Sequence, residues 1–373
     1  MHLRLRDTLI ELREPAVMGV LNVTPDSFSD GGRHASPDAA VDHGLRMVEE
    51  GAAILDVGGE STRPGAAPVA ADEEIRRVLP VIEGLVARTR APVSIDTSKL
   101  EVMRAALAAG ASMVNDVRAL EAPGAIEVVA GSGAAVCLMH MRGTPATMQS
   151  QTEYDDVVGE VRAYLGARRA ACLAAGIEAD RICVDPGIGF GKTAEHNLAL
   201  LARLDRLAPA GVPVLVGVSR KSLIGIITGR GPDYRLAGSV AFAALAASRG
   251  AAIVRAHDVA ATVDAVRIAA ALARIEGAIK GKRLQEADLT ERMALFEAFG
   301  AMCGDAGISL LDGLLNAKGF FGKREDPELR ACAAMALGRV GSADALAALR
   351  RASSDKEILV RNAVNRALRG GAT

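Results

Sequence analysis

The chain reads as an α/β protein, a (β/α)8 TIM barrel followed by a small all-α domain. Three features lead there. Eight apolar runs of strand length recur through the first 260 residues, separated by Ala/Leu/Glu/Arg-rich segments long enough for a helix. Each run ends in a short polar signature, and the carboxyl ends of the strands are where such a barrel builds its active site. Beyond residue 274 the alternation stops, and only apolar residues at helical spacing remain.

The first unit sets the pattern. A strand over residues 17 to 23 is followed by a Gly/Ser/Asp-rich loop from Thr24 to Ser36 and a helix opening at Pro37. Ser36 suits the N-cap and Pro37 the first helical position, where its missing N–H is harmless. Strands over 54 to 59, 92 to 97 and 113 to 117 precede helices beginning at Asp72 and near residues 99 and 122. A strand over 135 to 140 leads through a longer loop to an amphipathic helix near 155 to 175, and one over 182 to 186 leads into a Gly-rich turn, 187 to 193. Strands over 214 to 219 and 253 to 258 complete the eight. Wholly apolar runs such as VLVGV suit strands covered on both faces.

With 373 residues the chain exceeds one barrel of about 250 residues, so a second domain is expected. The barrel is assigned to residues 1 to 276, a polar connector to 277 to 288 and the second domain to 289 to 373. In that domain Arg292, Arg330 and Arg361 are each followed by an Ala and an apolar residue at the same offset, a period of 31 residues lengthened to 38 in the first copy. Helix pairs at this period resemble short HEAT-like repeats, and the arginines read as structural bridges between helices.

The 44 basic and 45 acidic residues give no basic stripe, which argues against a nucleic-acid partner. No uncharged run reaches the length of a membrane span and the N-terminus lacks a signal-peptide core, so a soluble, cytoplasmic protein is expected. Cys137, Cys172, Cys183, Cys303 and Cys332 show no paired spacing and read as buried free thiols.

The polar signatures carry the chemistry. Asp96, Asn115, Asp185 and Lys221 sit at the ends of strands three, four, six and seven, a ring suited to a flat heterocycle with several N–H donors and ring acceptors. Arg63, Arg255 and His257 form an anion-facing cluster, and the Asn22 amide with phosphate oxygens would suit Mg²⁺, so a diphosphate with Mg²⁺ fits that side. Asp96 and Asp185 could each singly be helix caps, but four polar groups aimed at one mouth exceed what an ordinary barrel needs. His140, at a strand end, reads either as a supporting residue or as a satisfied core histidine, and Arg220 reads as a surface charge. Gly187, Gly189 and Gly191 follow the sixth strand with the wrong spacing for a dinucleotide fingerprint.

The segments LNVTPDSFSDGG, ILDVGGESTRPGA, SIDTSK, NDV, DPGIGFGKT and GVSRKSLIG stand in the order found in dihydropteroate synthases, and over residues 14 to 275 the chain resembles that family. The resemblance implies condensation of 6-hydroxymethyl-7,8-dihydropterin diphosphate with 4-aminobenzoate, releasing diphosphate. It implies pterin contacts from Asp96, Asn115, Asp185 and Lys221, and diphosphate and Mg²⁺ contacts from Asn22, Arg63, Arg255 and His257. It implies aminobenzoate contacts from Thr62, Pro64, Phe190, Ser219 and Lys221, with Phe28 lining the same pocket, and a homodimer through the barrel. Asp96, Asp185, Lys221, Arg255 and His257 are the catalytic candidates. The long loops after strands one and two read as lids. The absence of an extra Phe after Phe190 points to sulfonamide sensitivity.

Two other readings compete. A corrinoid-dependent methyltransferase of the pterin-binding barrels would share the Asp and Asn ring but not the anion ligands. A non-catalytic barrel, with the repeats binding a protein partner, would have no need for every ligand of the mouth.

Overall fold

A computed structural model describes residues 1–24, 36–61, 67–144, 147–280, 288–317 and 324–370. The chain divides into two compact units, Met1–Ala270 and Ala271–Thr373, with the division falling inside a helix, Val259–Lys280, just short of residue 276.

The first unit opens with an antiparallel hairpin, β1 (His2–Leu5) and β2 (Thr8–Glu11). Then come β3 (Ala16–Asn22), β4 (Ile54–Gly58), β5 (Val93–Asp96), β6 (Met113–Asp116), β7 (Ala135–Met139), β8 (Ile182–Asp185), β9 (Leu215–Gly217) and β10 (Ile253–Ala256). These eight strands pair in parallel in the order β8-β7-β6-β5-β4-β3-β10-β9, and a further parallel bridge between Val184 and Val214 closes the ring. Each expected strand is present within one or two residues of its expected ends. The first helix begins at Pro37, with the Ser36 hydroxyl accepting from the Ala39 amide at 3.2 Å.

The period of two along each strand decides what fills the barrel. Val17, Leu21, Leu55, Val57, Ile95, Val114, Val136, Leu138 and Val184 point outward into the core shared with the helices. Met18, Ile54, Met113, Ala135, Cys137, Cys183, Leu215 and Ile253 point inward and form a second, apolar cluster with Leu3, Leu5 and Leu12. The hairpin therefore plugs the amino-terminal end of the barrel, a role that the sequence reading missed. Continuing inward-facing positions toward the carboxyl end gives Asp56 and Gly58 on β4, Ser94 and Asp96 on β5, Asn115 on β6, Asp185 on β8 and Arg255 on β10. The apolar plug thus gives way to a polar layer at the opposite mouth.

In the second unit, helices Leu289–Cys303, Ile308–Asn316, Pro327–Val340, Ala343–Arg351 and Ile358–Gly370 pack around Phe296, Phe299, Leu311, Leu315, Leu337, Leu349, Val360 and Val364. The repeated Ala and Gly positions form the seam. A Cβ added at Gly300 would come within 2.4 Å of the Ala336 carbonyl oxygen, and one at Gly338 within 2.8 Å of the Ala367 Cβ. Two of the three repeat arginines bridge helices as expected, Arg292 to Glu328 at 3.2 Å and Arg330 to the Leu315 carbonyl and Asp355, whereas Arg361 donates to the Asp355 carbonyl at 2.7 Å in the connector just before its own helix. The stretch Leu289–Asn316 is apolar and long enough to cross a membrane by length and composition. It is broken at Gly304, however, and both of its halves bury side chains in this helical core. All five cysteines are free and buried.

Candidate active site

Asp56, which the sequence reading passed over, is the centre of the mouth. Its carboxylate is fully buried and its Oδ2 accepts from Arg255 Nε at 2.6 Å and from Asn115 Nδ2 at 2.9 Å. The other end of the same guanidinium, Arg255 Nη2, donates to Asp96 Oδ2 at 2.7 Å. The pterin-facing and anion-facing groups expected on separate sides are thus one connected network, with Arg255 held between two carboxylates and Asn115 oriented by one of them. Burial works against the Arg255 charge, but Asp56 and Asp96 outweigh it and hold its pKa above the ordinary value. Asp96 behaves oppositely: burial pushes it up to about 7, with Arg255 opposing and Asp56 adding to the rise. Asp56 Oδ1 and the Ser94 Oγ beside it on β5 are buried with no hydrogen-bond partner among the described residues. A buried acceptor without a partner is costly, and a donor reaching Asp56 Oδ1 from the mouth would relieve that cost.

Across the mouth, Asp185 Oδ1 accepts from the Gly187 amide at 2.7 Å, and burial raises the Asp185 pKa against the pull of Lys221. Gly187 has φ +67°, and a Cβ there would lie 2.0 Å from the His140 carbonyl oxygen, so the turn needs glycine. Lys221 donates from Nζ to the Ile188 carbonyl and stands 4.5 Å from the centroid of the Phe190 ring. Burial lowers the Lys221 pKa to about 8, with Asp185 opposing. Beneath this loop lies a second lysine that the sequence reading treated only as part of a Gly-rich turn: Lys192, almost wholly buried, with Nζ 3.0 Å from His140 Nδ1. His140 is buried and satisfied by this contact; burial, with the Lys192 and Arg142 charges, lowers its pKa to about 3.

On the β9–β10 side, Ser219 Oγ lies 3.0 Å from His257 Nδ1 and accepts from the His257 amide at 3.2 Å. Arg220 turns away and pairs with Asp258, Nε to Oδ2 at 3.0 Å, as a half-exposed surface charge. Asn22 ends β3 opposite Gly58, where an added Cβ would stand 3.6 Å from Asn22 Oδ1 and 3.6 Å from Asp96 Cβ. Glu60, just after β4, accepts from Lys99 Nζ at 2.9 Å and from the Val69 amide at 2.8 Å, and Lys99 also pairs with buried Glu74. Both ends of the second loop are thereby tied down. Phe28, Thr62, Arg63 and Pro64 lie outside the described residues.

The first unit is thus a parallel eight-stranded barrel whose mouth gathers Asp96, Asn115, Asp185, Lys221 and Arg255, and the comparisons place it among the pterin-binding enzymes. Residues 18–257 match that family's model, "Pterin binding enzyme", and residues 318–369 match the HEAT repeats. The chain belongs to the pterin-binding enzyme family. Among its relatives, the dihydropteroate synthase of Escherichia coli (strain K12) is 52% identical over 268 residues, 72% of this chain and 95% of that protein. Among solved structures, Xanthomonas albilineans dihydropteroate synthase with 4-aminobenzoic acid is 56% identical at a TM-score of 0.69, covering 73% of this chain and 98% of the other. Yersinia pestis dihydropteroate synthase in a sulfonamide drug complex is 48% identical at a TM-score of 0.70, covering 74% and 100%.

Proposed function

We propose that the chain is a dihydropteroate synthase, joining 6-hydroxymethyl-7,8-dihydropterin diphosphate to 4-aminobenzoate and releasing diphosphate. The observation that carries the reading is the Asn115–Asp56–Arg255–Asp96 network, which faces Asp185 and Lys221 across one mouth. Asp185 offers a buried carboxylate and Asp96 a partly buried one to the N–H edge of the pterin, Asn115 adds an amide, and Lys221 donates to a ring acceptor. Charge-assisted bonds of this kind contribute roughly 1.5 to 3 kcal/mol each.

Aminobenzoate is a weak nucleophile, so direct displacement at the pterin methylene is slow. Departure of diphosphate first leaves a cation delocalised into the pterin ring, and the aminobenzoate nitrogen then attacks that carbon and loses a proton. The barrel's contribution is preorganised charge: Arg255, His257 and Arg63 toward the departing diphosphate, and the carboxylates Asp96 and Asp185 toward the pterin cation. Thr62, Pro64, Phe190, Ser219 and Lys221 are the proposed aminobenzoate contacts. None of these roles needs a covalent enzyme nucleophile.

Magnesium fits the chemistry of this side. The Asn22 amide oxygen faces a gap that the missing side chain of Gly58 leaves beside Asp96. Among the described residues no three His, Cys, Asp or Glu side chains form a metal cage. One amide oxygen with substrate oxygens and water is the ligand set that Mg²⁺ accepts, and it would supply charge neutralisation for the diphosphate.

The barrel also carries a surface suited to a second copy: Ile226, Ile227, Tyr234, Leu236 and Leu245, at and between the helices Ser222–Thr228 and Leu236–Ser248, are all exposed. A homodimer through this face is part of the proposal, as is a cytoplasmic location, which five unpaired thiols suit. The repeat unit is proposed as an accessory module able to bind a protein partner. Turnover of the two substrates to dihydropteroate and diphosphate tests the central reaction, and diphosphate release without dihydropteroate would reject it.

A further inference from the structure

The turn after β8 is held from several sides. Asn197 Oδ1 accepts from the Gly189 amide at 2.7 Å, and Tyr154 OH donates to the Gly191 carbonyl at 3.0 Å. The interior of the turn is filled by one group. Lys192 Nζ lies 3.1 Å from the Gly187 carbonyl oxygen, 2.9 Å from that of Phe190, 3.3 Å from that of His140 and 3.0 Å from His140 Nδ1. The turn therefore closes around an ammonium whose acceptors include two of its own carbonyls, those of Gly187 and Phe190, and His140, the first residue after the neighbouring strand β7. Lys192 is 4% exposed, and burial lowers its pKa to about 7, with Asp185 opposing and Lys221 and Arg142 adding to the fall.

A buried lysine of this kind is costly to retain. What it fixes are the groups that meet substrate in the proposed reaction. Phe190 gives Lys192 its carbonyl and presents its ring to Lys221, while Ile188, within the same turn, accepts from Lys221. Gly187 accepts from Lys192 and donates to Asp185, but Asp185 is also fixed by its place in β8.

We infer that Lys192, braced by His140, is a positioning residue that sets Phe190 and Lys221 for aminobenzoate and does not itself touch substrate. This rests on the synthase reading above. Because Phe190 and Ile188 are turn residues whereas Asp185 is anchored in a strand, loss of the ammonium acts on aminobenzoate more than on the pterin.

The test is steady-state kinetics on the full chain, comparing wild type with Lys192→Met and His140→Phe, with the Tm of each. Lys192→Met is expected to raise KM for 4-aminobenzoate and the inhibition constant of a sulfonamide together by about tenfold or more, the scale expected when a supporting shell loosens. KM for the pterin diphosphate should change by no more than about twofold. His140→Phe, which removes one acceptor and leaves the carbonyls, should move the same constants the same way by less. Unchanged KM for aminobenzoate in folded variants overturns the inference, as does an equal loss on both substrates that follows the fall in Tm. If Lys192→Met does not fold, the direction of the His140→Phe change decides. Wild-type turnover in the same assay keeps the two readings apart: inactive wild type overturns the synthase reading, whereas active wild type with unaltered variants overturns only the role of Lys192.

Discussion

Two buried arginine–aspartate clusters in this chain show how similar chemistry can close a fold or open a site. In the repeat unit, Arg330 meets both oxygens of Asp355 and donates from Nε to the Leu315 carbonyl at 3.0 Å. Asp355 also takes the Glu357 amide and Arg324. Every oxygen has a partner, and the hydrogen bond from Arg330 holds the Asp355 pKa below its usual range. At the barrel mouth, Arg255 is shared between two carboxylates, Asp56 Oδ1 has no partner among the described residues and the Asp96 pKa is raised. The first cluster is complete without a ligand; the second keeps the open acceptor and raised carboxyl that the proposed substrate site calls for.

Substitution separates the two. The largest effect is expected from Asp96→Asn, which should lower kcat/KM by about a thousandfold or more while leaving Tm within a few degrees, because electrostatic groups at a reacting centre act mainly on the transition state. An Asp96→Asn chain that retains most of its activity would place the cluster with Arg330–Asp355 as structural. Arg330→Met leaves Asp355 buried without its main partner and should cost about 3 kcal/mol of repeat-unit stability, read by chemical denaturation. Normal stability in that variant would remove the contrast. A smaller loss is expected from Asp185→Asn, about 2 kcal/mol in pterin affinity for one charged hydrogen bond, and calorimetric titration with a pterin measures it.

The same contrast makes a pH prediction for the mouth alone. Asp96, raised to about 7, must ionise to accept N–H groups; Lys221, lowered to about 8, must keep its proton to donate. Activity as kcat/KM should therefore rise through about pH 7 and fall above about pH 8. Lys221→Arg should move the falling limb to higher pH, and a limb that stays in place assigns it to another group. The smallest expected effect is one of competition: a sulfonamide should raise the apparent KM for aminobenzoate without changing the limiting rate. Turnover unaffected by millimolar drug at limiting aminobenzoate contradicts this.

Most of the barrel is legible because apolar runs of strand length alternating with helical segments, and polar residues at the strand ends, are local signals, and the Arg and Ala of each repeat, with Gly300 and Gly338 in the first two, mark a seam by their spacing. What was missed depends on position inside the closed ring. Asp56 stands in mid-strand between Leu55 and Val57, so it lacks the strand-end placement that flagged Asp96 and Asp185. The inward parity of Ile54, Asp56 and Gly58 was the signal that could have found it. Lys192 looks like a loop charge until the turn folds back onto His140, 52 residues earlier in the chain. The terminal hairpin hides in two four-residue strands, and only the alternation of Leu3 and Leu5 with Arg4 betrays it.

The most direct test of the account is to mix the full chain with Mg²⁺, the pterin diphosphate and 4-aminobenzoate, and to follow dihydropteroate and diphosphate together. Equimolar appearance of both, abolished by Asp96→Asn and preserved in Arg330→Met at a temperature where that variant stays folded, is the predicted result. Diphosphate without dihydropteroate, or no turnover by the wild-type chain, would contradict it.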